Sequence, residues 1–261
     1  MSSEGKSKFS CTALLVVIGV VFLLFLALIP FQNSAGSRAG TLATTARGKD
    51  IYVAIIQANT EREPLGLPDV WPRTPIGGGR KIEDVRWVPD IAQMEFQNST
   101  DYFYELLDGA NFGTTKWAPY VSGLDYSKFA GAGVPMGNER KKLRPENNMW
   151  SIAGDIEDDM PDVLPVLVTR NVDCASFYKI LQGDGTEKIE WWSKHYKTPF
   201  SNKGFAIVRK GGGTITMGSK YINISSLYHF STRPPADVVD DLLRPYLPPD
   251  SLVTPPQRSS P

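Results

Sequence analysis

The sequence predicts an α+β protein: a long N-terminal helix, half in lipid and half in water, packed on an antiparallel β-sheet head. Three observations carry this reading. Residues 13–31 form one uncharged apolar run, and residues 35–61 hold no proline and repeat small and apolar side chains at helical spacing. From residue 147 onward, short β-branched and aromatic runs alternate with glycine turns.

The apolar run is the strongest element. It holds fifteen Leu, Ile, Val or Phe side chains. At about 1.5 Å per residue it spans roughly 28 Å, close to the hydrocarbon core of a bilayer. At about −0.3 to −0.6 kcal/mol for each such side chain, insertion gains on the order of 5 to 9 kcal/mol. A signal peptide cleaved near Ser34 is the rival reading, but its apolar core would be shorter. Residues 1–12 carry Lys6 and Lys8 and are expected to stay in the cytoplasm. That makes the chain single-pass, with residues 32–230 as an extracytoplasmic domain.

Beyond the membrane the helix is expected to continue over residues 34–62, with Leu42, Ala46, Ala54, Ile55 and Ala58 as its apolar stripe. Gly36, Gly40 and Gly48 weaken it, and Pro64 and Pro68 end it. Residues 64–89 read as an irregular loop packed by Leu65, Leu67, Val70 and Trp71. A second helix opens with Ser99 or Thr100 as N-cap, shows Tyr102, Phe103, Leu106 and Leu107 on one face, and closes at Gly109. Strands are expected over 149–153, 163–168, 205–208 and 214–217, the last two joined as a hairpin through Gly211, Gly212 and Gly213. Residues 231–261 are rich in proline and read as a disordered tail, apart from a short helix over 236–243.

Composition excludes some functions. Lys plus Arg and Asp plus Glu both number 28, so no basic face for nucleic acid is expected. Cys11 and Cys174 are the two cysteines, too far apart in the chain to suggest a bridge. The histidines, His195 and His229, sit in no metal-ligand spacing, and neither a nucleophile elbow nor a phosphate loop occurs. The glycines of 131–137 are interrupted by Pro135 and read as a turn. Trp191 and Trp192 point to different faces of any regular element, and the aromatic stretch 189–196 reads as packing over the sheet, with a binding surface as the alternative.

The run FSCTALLVVI from Phe9 resembles the N-terminus of type IV pilins and type II secretion pseudopilins. Further pieces resemble a bacterial branch of pseudopilin-like proteins: RGKDIYVAI from Arg47, REPLGLP from Arg62, STDYF from Ser99, FAGAGVP from Phe129 and ENNMW from Glu146. The resemblance covers roughly residues 6–229. It implies a pilin-like fold, a bacterial inner-membrane location with a periplasmic head, and structural work without catalysis. Phe9, Ala13, Leu14, Val17 and Ile18 would then pack against like helices of neighbouring subunits. Two departures stand out. The family's cleavage glycine falls at Lys8, and its intramembrane glutamate falls at Ala13. Processing by prepilin peptidase is therefore not expected. A buried carboxylate of that kind costs about 2.5–3.5 kcal/mol unless paired, and Ala13 carries neither the cost nor the register information.

One cofactor expectation follows. Some pseudopilins of this family bind calcium in the head, and Asp155, Glu157, Asp158 and Asp159 supply the hard oxygen ligands that Ca²⁺ favours. Their spacing is not that of an EF-hand, and a solvated acidic loop is the competing reading. An anchored extracytoplasmic enzyme and a secreted binding protein with a long signal peptide remain the alternative functions.

Overall fold

The computed structural model describes residues 11–75, 90–108, 111–112, 115–116, 119–130, 143–192, 200–218 and 222–250, with α1 side chains described at 16–22 and 40–62. The chain divides into two units, Met1–Gly40 and Thr41–Pro261. Helix α1 runs over Cys11–Arg62 and is followed by short 3-10 turns at Glu63–Leu65 and Ile91–Gln93. Then come α2 (Ser99–Asp108), β1 (Asn111–Phe112), β2 (Thr115–Lys116), α3 (Tyr126–Phe129), β3 (Trp150–Ala153) and β4 (Pro165–Thr169). The remaining elements are β5 (Val172–Asp173), α4 (Ala175–Gln182), β6 (Glu190–Trp191), β7 (Gly204–Arg209), β8 (Thr214–Gly218), α5 (Ile224–Tyr228), α6 (Ala236–Leu242) and β9 (Tyr246–Leu247). The protein is thus of the α+β class.

The second unit is organised on a five-stranded antiparallel sheet in the order β8-β7-β4-β3-β9. Its inner strands are uniformly buried: Trp150, Ile152, Val166, Leu167, Val168, Phe205 and Ile207 are all inaccessible. Runs of this kind form strands because β-branched and aromatic side chains fit a pleated surface covered on both faces. The β7–β8 hairpin turns through Gly211–Gly213, where Gly212 takes φ 77°, a conformation that costs a glycine little.

Successive strand residues face opposite sides. On one side Trp150 of β3 and Val208 of β7 close on Gly48 of α1. A Cβ at Gly48 would stand 2.5 Å from the Trp150 ring and 3.1 Å from Val208, so a glycine is required there. Ile51, Ala54, Ile55 and Ala58 continue this contact into the core. The expected stripe is therefore shifted. Leu42 is 72% exposed and Ala46 is exposed, while Gly48 is the close-packed position. On the other side Phe205 meets Trp191 nearly edge-on, and Phe177 of α4 meets Tyr246 of β9 likewise.

Other expectations need correction. Asn98, not Ser99 or Thr100, caps α2: its Oδ1 accepts the Asp101 N–H at 2.8 Å. Ser99 and Thr100 are buried, and their hydroxyls donate inward to the carbonyls of Trp150 and Pro249, both at 2.6 Å. Leu65 is 68% exposed instead of packing the loop, although Val70 and Trp71 are buried. The tail expected to be disordered from 231 is structured as far as Asp250. Helix α6 buries Val239 and Leu242, and β9 pairs with Ile152 and Ala153 of β3. Proline-rich composition misleads here because Pro245 and Pro248 flank a two-residue strand that needs no more than its own N–H groups. Residues 76–89, Gly109 and 251–261 lie outside the described residues.

Candidate functional site

Two surfaces stand out, one in each unit. In the first, Val16, Val17, Ile18, Val20, Val21 and Phe22 are between 50% and 63% exposed. At 100° per residue these positions encircle the helix, so this stretch is apolar all round. Val17, Ile18, Val21 and Phe22 line a shallow apolar groove. Among the described residues no helix is long and apolar enough to cross a membrane; of the expected span, the described side chains are those of 16–22. Phe9 lies outside the described residues, and Ala13 and Leu14 lie in α1 with their side chains outside them.

In the second unit a cleft of about 490 Å³ is lined by Pro68, Asp69, Trp71, Arg73, Asp155, Asp158 and their neighbours. Asp155 anchors it. The residue follows β3, takes the left-handed conformation at φ 54°, and bonds its own N–H to the Pro72 carbonyl at 2.8 Å. Its carboxylate accepts from Thr74 twice, from the hydroxyl at 2.6 Å and from the N–H at 3.1 Å. Burial nevertheless raises the Asp155 carboxyl above its ordinary range, against those hydrogen bonds. Asp69 is raised as well, first by burial and then by the charge of Asp158, with Arg62 opposing. Arg62 in turn pairs with Asp90 at 2.6 Å and lies 5.9 Å over the Tyr120 ring, which ties the end of α1 to the chain entering α2.

The four acidic residues singled out in the sequence thus share one cleft, but they do not converge. Asp155 is committed to Thr74, and Asp158 accepts Lys210 Nζ at 2.6 Å through its backbone carbonyl. Among the described residues no group of three or more acidic, histidine or cysteine side chains is placed to hold a metal ion.

Cys174 is buried, and desolvation pushes its thiol far above the ordinary range, so it is an inert core group. His229 caps α5 at φ 61°, and its Nε2 lies 2.6 Å from Arg209 Nη1. His195 and the glycines of 131–137 lie outside the described residues. Sequence reasoning missed Thr74, Asp69 and Arg209. Nothing in local pattern marks Thr74 as the partner of a residue 81 positions on.

Comparison with family models, curated proteins and solved structures gives no match for this chain.

Proposed function

We propose that this chain is a membrane-anchored, non-enzymatic, pilin- or pseudopilin-like structural protein of a type II secretion or type IV pilus-like system. Residues 13–31 hold it in the bacterial inner membrane with the N-terminus inside, and the compact unit stands on the periplasmic side. Its partners are lipid and the like helices of pilin-type subunits, met through Phe9, Ala13, Leu14, Val17 and Ile18.

The observation that carries this reading is the all-round apolar exposure of Val16–Phe22 on a helix of 52 residues. A helix apolar on every side belongs in lipid or in a bundle of its own kind. The burial of Ile51, Ala54, Ile55 and Ala58 of that helix in a core shared with an antiparallel sheet supports the pilin-like arrangement, in which a long N-terminal helix packs on the sheet.

Lys8 and Ala13 stand where the family uses a glycine and a glutamate, which favours a permanent anchor over a processed filament subunit. Intact-mass measurement on membrane-extracted protein tests this. A mass retaining Met1 or Ser2 is expected. Loss of residues 1–8 would restore ordinary prepilin processing, and loss of the residues through Ala35 would make it a secreted protein.

A further inference from the structure

Between Thr41 and Arg62, helix α1 has two faces. Thr44, Gly48, Ile51, Ala54, Ile55 and Ala58 are buried. Leu42, Ala46, Lys49, Val53, Ile56 and Thr60 are exposed, Leu42 and Val53 most openly among the large apolar ones. These six are spaced alternately by four and three residues, so at 100° per residue they lie within about 80° of one another. A helix face turned to water ordinarily carries charge. Of these six side chains, Lys49 alone does.

The helix is held on both flanks, and the face between them is exposed. On one flank Thr45 Oγ1 lies 3.1 Å from Thr216 Oγ1, and the Tyr52 hydroxyl donates to the Lys210 carbonyl. On the other, Arg47 Nη1 donates to the Ala130 carbonyl at 2.6 Å and Lys128 Nζ donates to Asp50 Oδ2 at 2.7 Å. Asp50 keeps 48% of its side chain exposed in that pair. Spacing by four and three is that of the a and d positions of a coiled coil. Leu42, Lys49 and Ile56 take d, and Ala46, Val53 and Thr60 take a. Ala43, Asp50 and Gln57 then occupy the flanking e positions, and all three are exposed as well.

We infer that this face of α1 packs in parallel and in register against the same face of a second copy of this chain, as a short two-stranded coiled coil. A seam spaced in this way matches itself when two helices run in the same direction. Leu42, Ala46, Val53 and Ile56 then each meet their twin. Charge fixes the register. A d-position side chain inserts among a, d and e residues of the other helix, which sets each Lys49 beside the partner's Asp50. Two lysines and two aspartates close that layer without net charge. A slip of one heptad sets Lys49 against Ile56 and Gln57 of the partner subunit and strands both charges. The shared direction rests on the proposed anchoring. The anchor ends at residue 31, shortly before Leu42, so copies in one membrane present this face the same way up. At about 1.5 Å per residue the seam is roughly 28 Å long. A contact of that length is weak between helices in free solution, and confinement to one membrane supplies the effective concentration that closes it. The pair is isologous, so it closes on itself and adds no third copy. That suits a permanent anchor better than a growing filament.

The test uses the full chain in native membranes, in a Cys11→Ser background. Ala46→Cys, Val53→Cys and Ile56→Cys should each give a disulfide-linked dimer under mild oxidation, whereas Ser225→Cys on α5 should not. Adding Val53→Asp to Ala46→Cys should lower the linked fraction about tenfold and leave the unfolding midpoint of the compact unit in place. Lys49→Glu, which turns like charge on the partner's Asp50, should lower it too, while Lys49→Met should not. Chain that withstands alkaline carbonate yet stays unlinked, links equally at Ser225, or links to a different protein overturns the pairing. Linkage of Ala46→Cys to Ile56→Cys in mixed copies, in place of like with like, makes the helices antiparallel and overturns it as well. Release of the full-length chain by carbonate overturns instead the anchoring on which the shared direction rests, so the two failures are told apart.

Discussion

Helix α1 contains two apolar stretches with opposite fates. Val16–Phe22 is exposed on every side, whereas Ile51, Ala54, Ile55 and Ala58 are buried on one side and alternate with exposed Asp50, Val53 and Gln57. Hydrophobicity alone does not separate the two. What separates them is angular distribution, because a stripe can be satisfied by one neighbouring layer and a full cylinder cannot. On the proposed reading the first stretch asks for a solvent of its own, while the second meets the sheet's Trp150 and Val208.

Substitutions that act on one stretch and spare the other sharpen this contrast. The largest effect is expected at Trp150→Ala, which empties the site against Gly48. It should cost the compact unit about 3–5 kcal/mol in chemical denaturation and leave membrane retention intact. Val21→Arg should do the reverse. A central charge costs about 2.5–3.5 kcal/mol on insertion, so the membrane-bound fraction falls while the unfolding midpoint of the compact unit stays put. Gly48→Ala pushes a methyl into the Trp150 ring and should cost about 1–3 kcal/mol. Leu42→Ser, on the exposed side of the same helix, should stay within about 0.5 kcal/mol of the parent. Equal losses at Gly48 and Leu42 would erase the distinction.

A pH effect of smaller size is expected at the cleft. Burial raises the Asp155 carboxyl above its unfolded value, so on acidification the folded state takes up that proton before the unfolded state does. Asp155 therefore contributes a gain in stability as pH falls through its raised folded value, and ionisation at higher pH removes it. Asp155→Asn keeps the amide oxygen for Thr74 N–H and tolerates the left-handed backbone, so it should flatten this part of the stability profile. An unchanged slope in urea titrations across mildly acidic pH would contradict the assignment.

Much of the central sheet was legible in the sequence. The runs at 149–153, 163–168, 205–208 and 214–217 fall on β3, β4, β7 and β8 within a residue or two, because buried strands announce themselves by β-branched content and the hairpin by its glycines. Strand β9 was not legible, since Tyr246 and Leu247 become a strand only by pairing with Ile152 and Ala153 from a remote part of the chain. The same holds for the α2 cap. Three adjacent residues could each cap a helix, and burial of Ser99 and Thr100 under Trp150 and Pro249 decides which one does. The acidic loop was visible as composition, but its cleft was not, because Asp69, Trp71 and Arg73 come from a separate segment.

The central claim is that residues 13–31 remain lodged in lipid on the full-length protein. Washing vesicles with alkaline carbonate measures this directly: the intact chain should sediment with the membranes, and its release into the supernatant at full length would contradict the account.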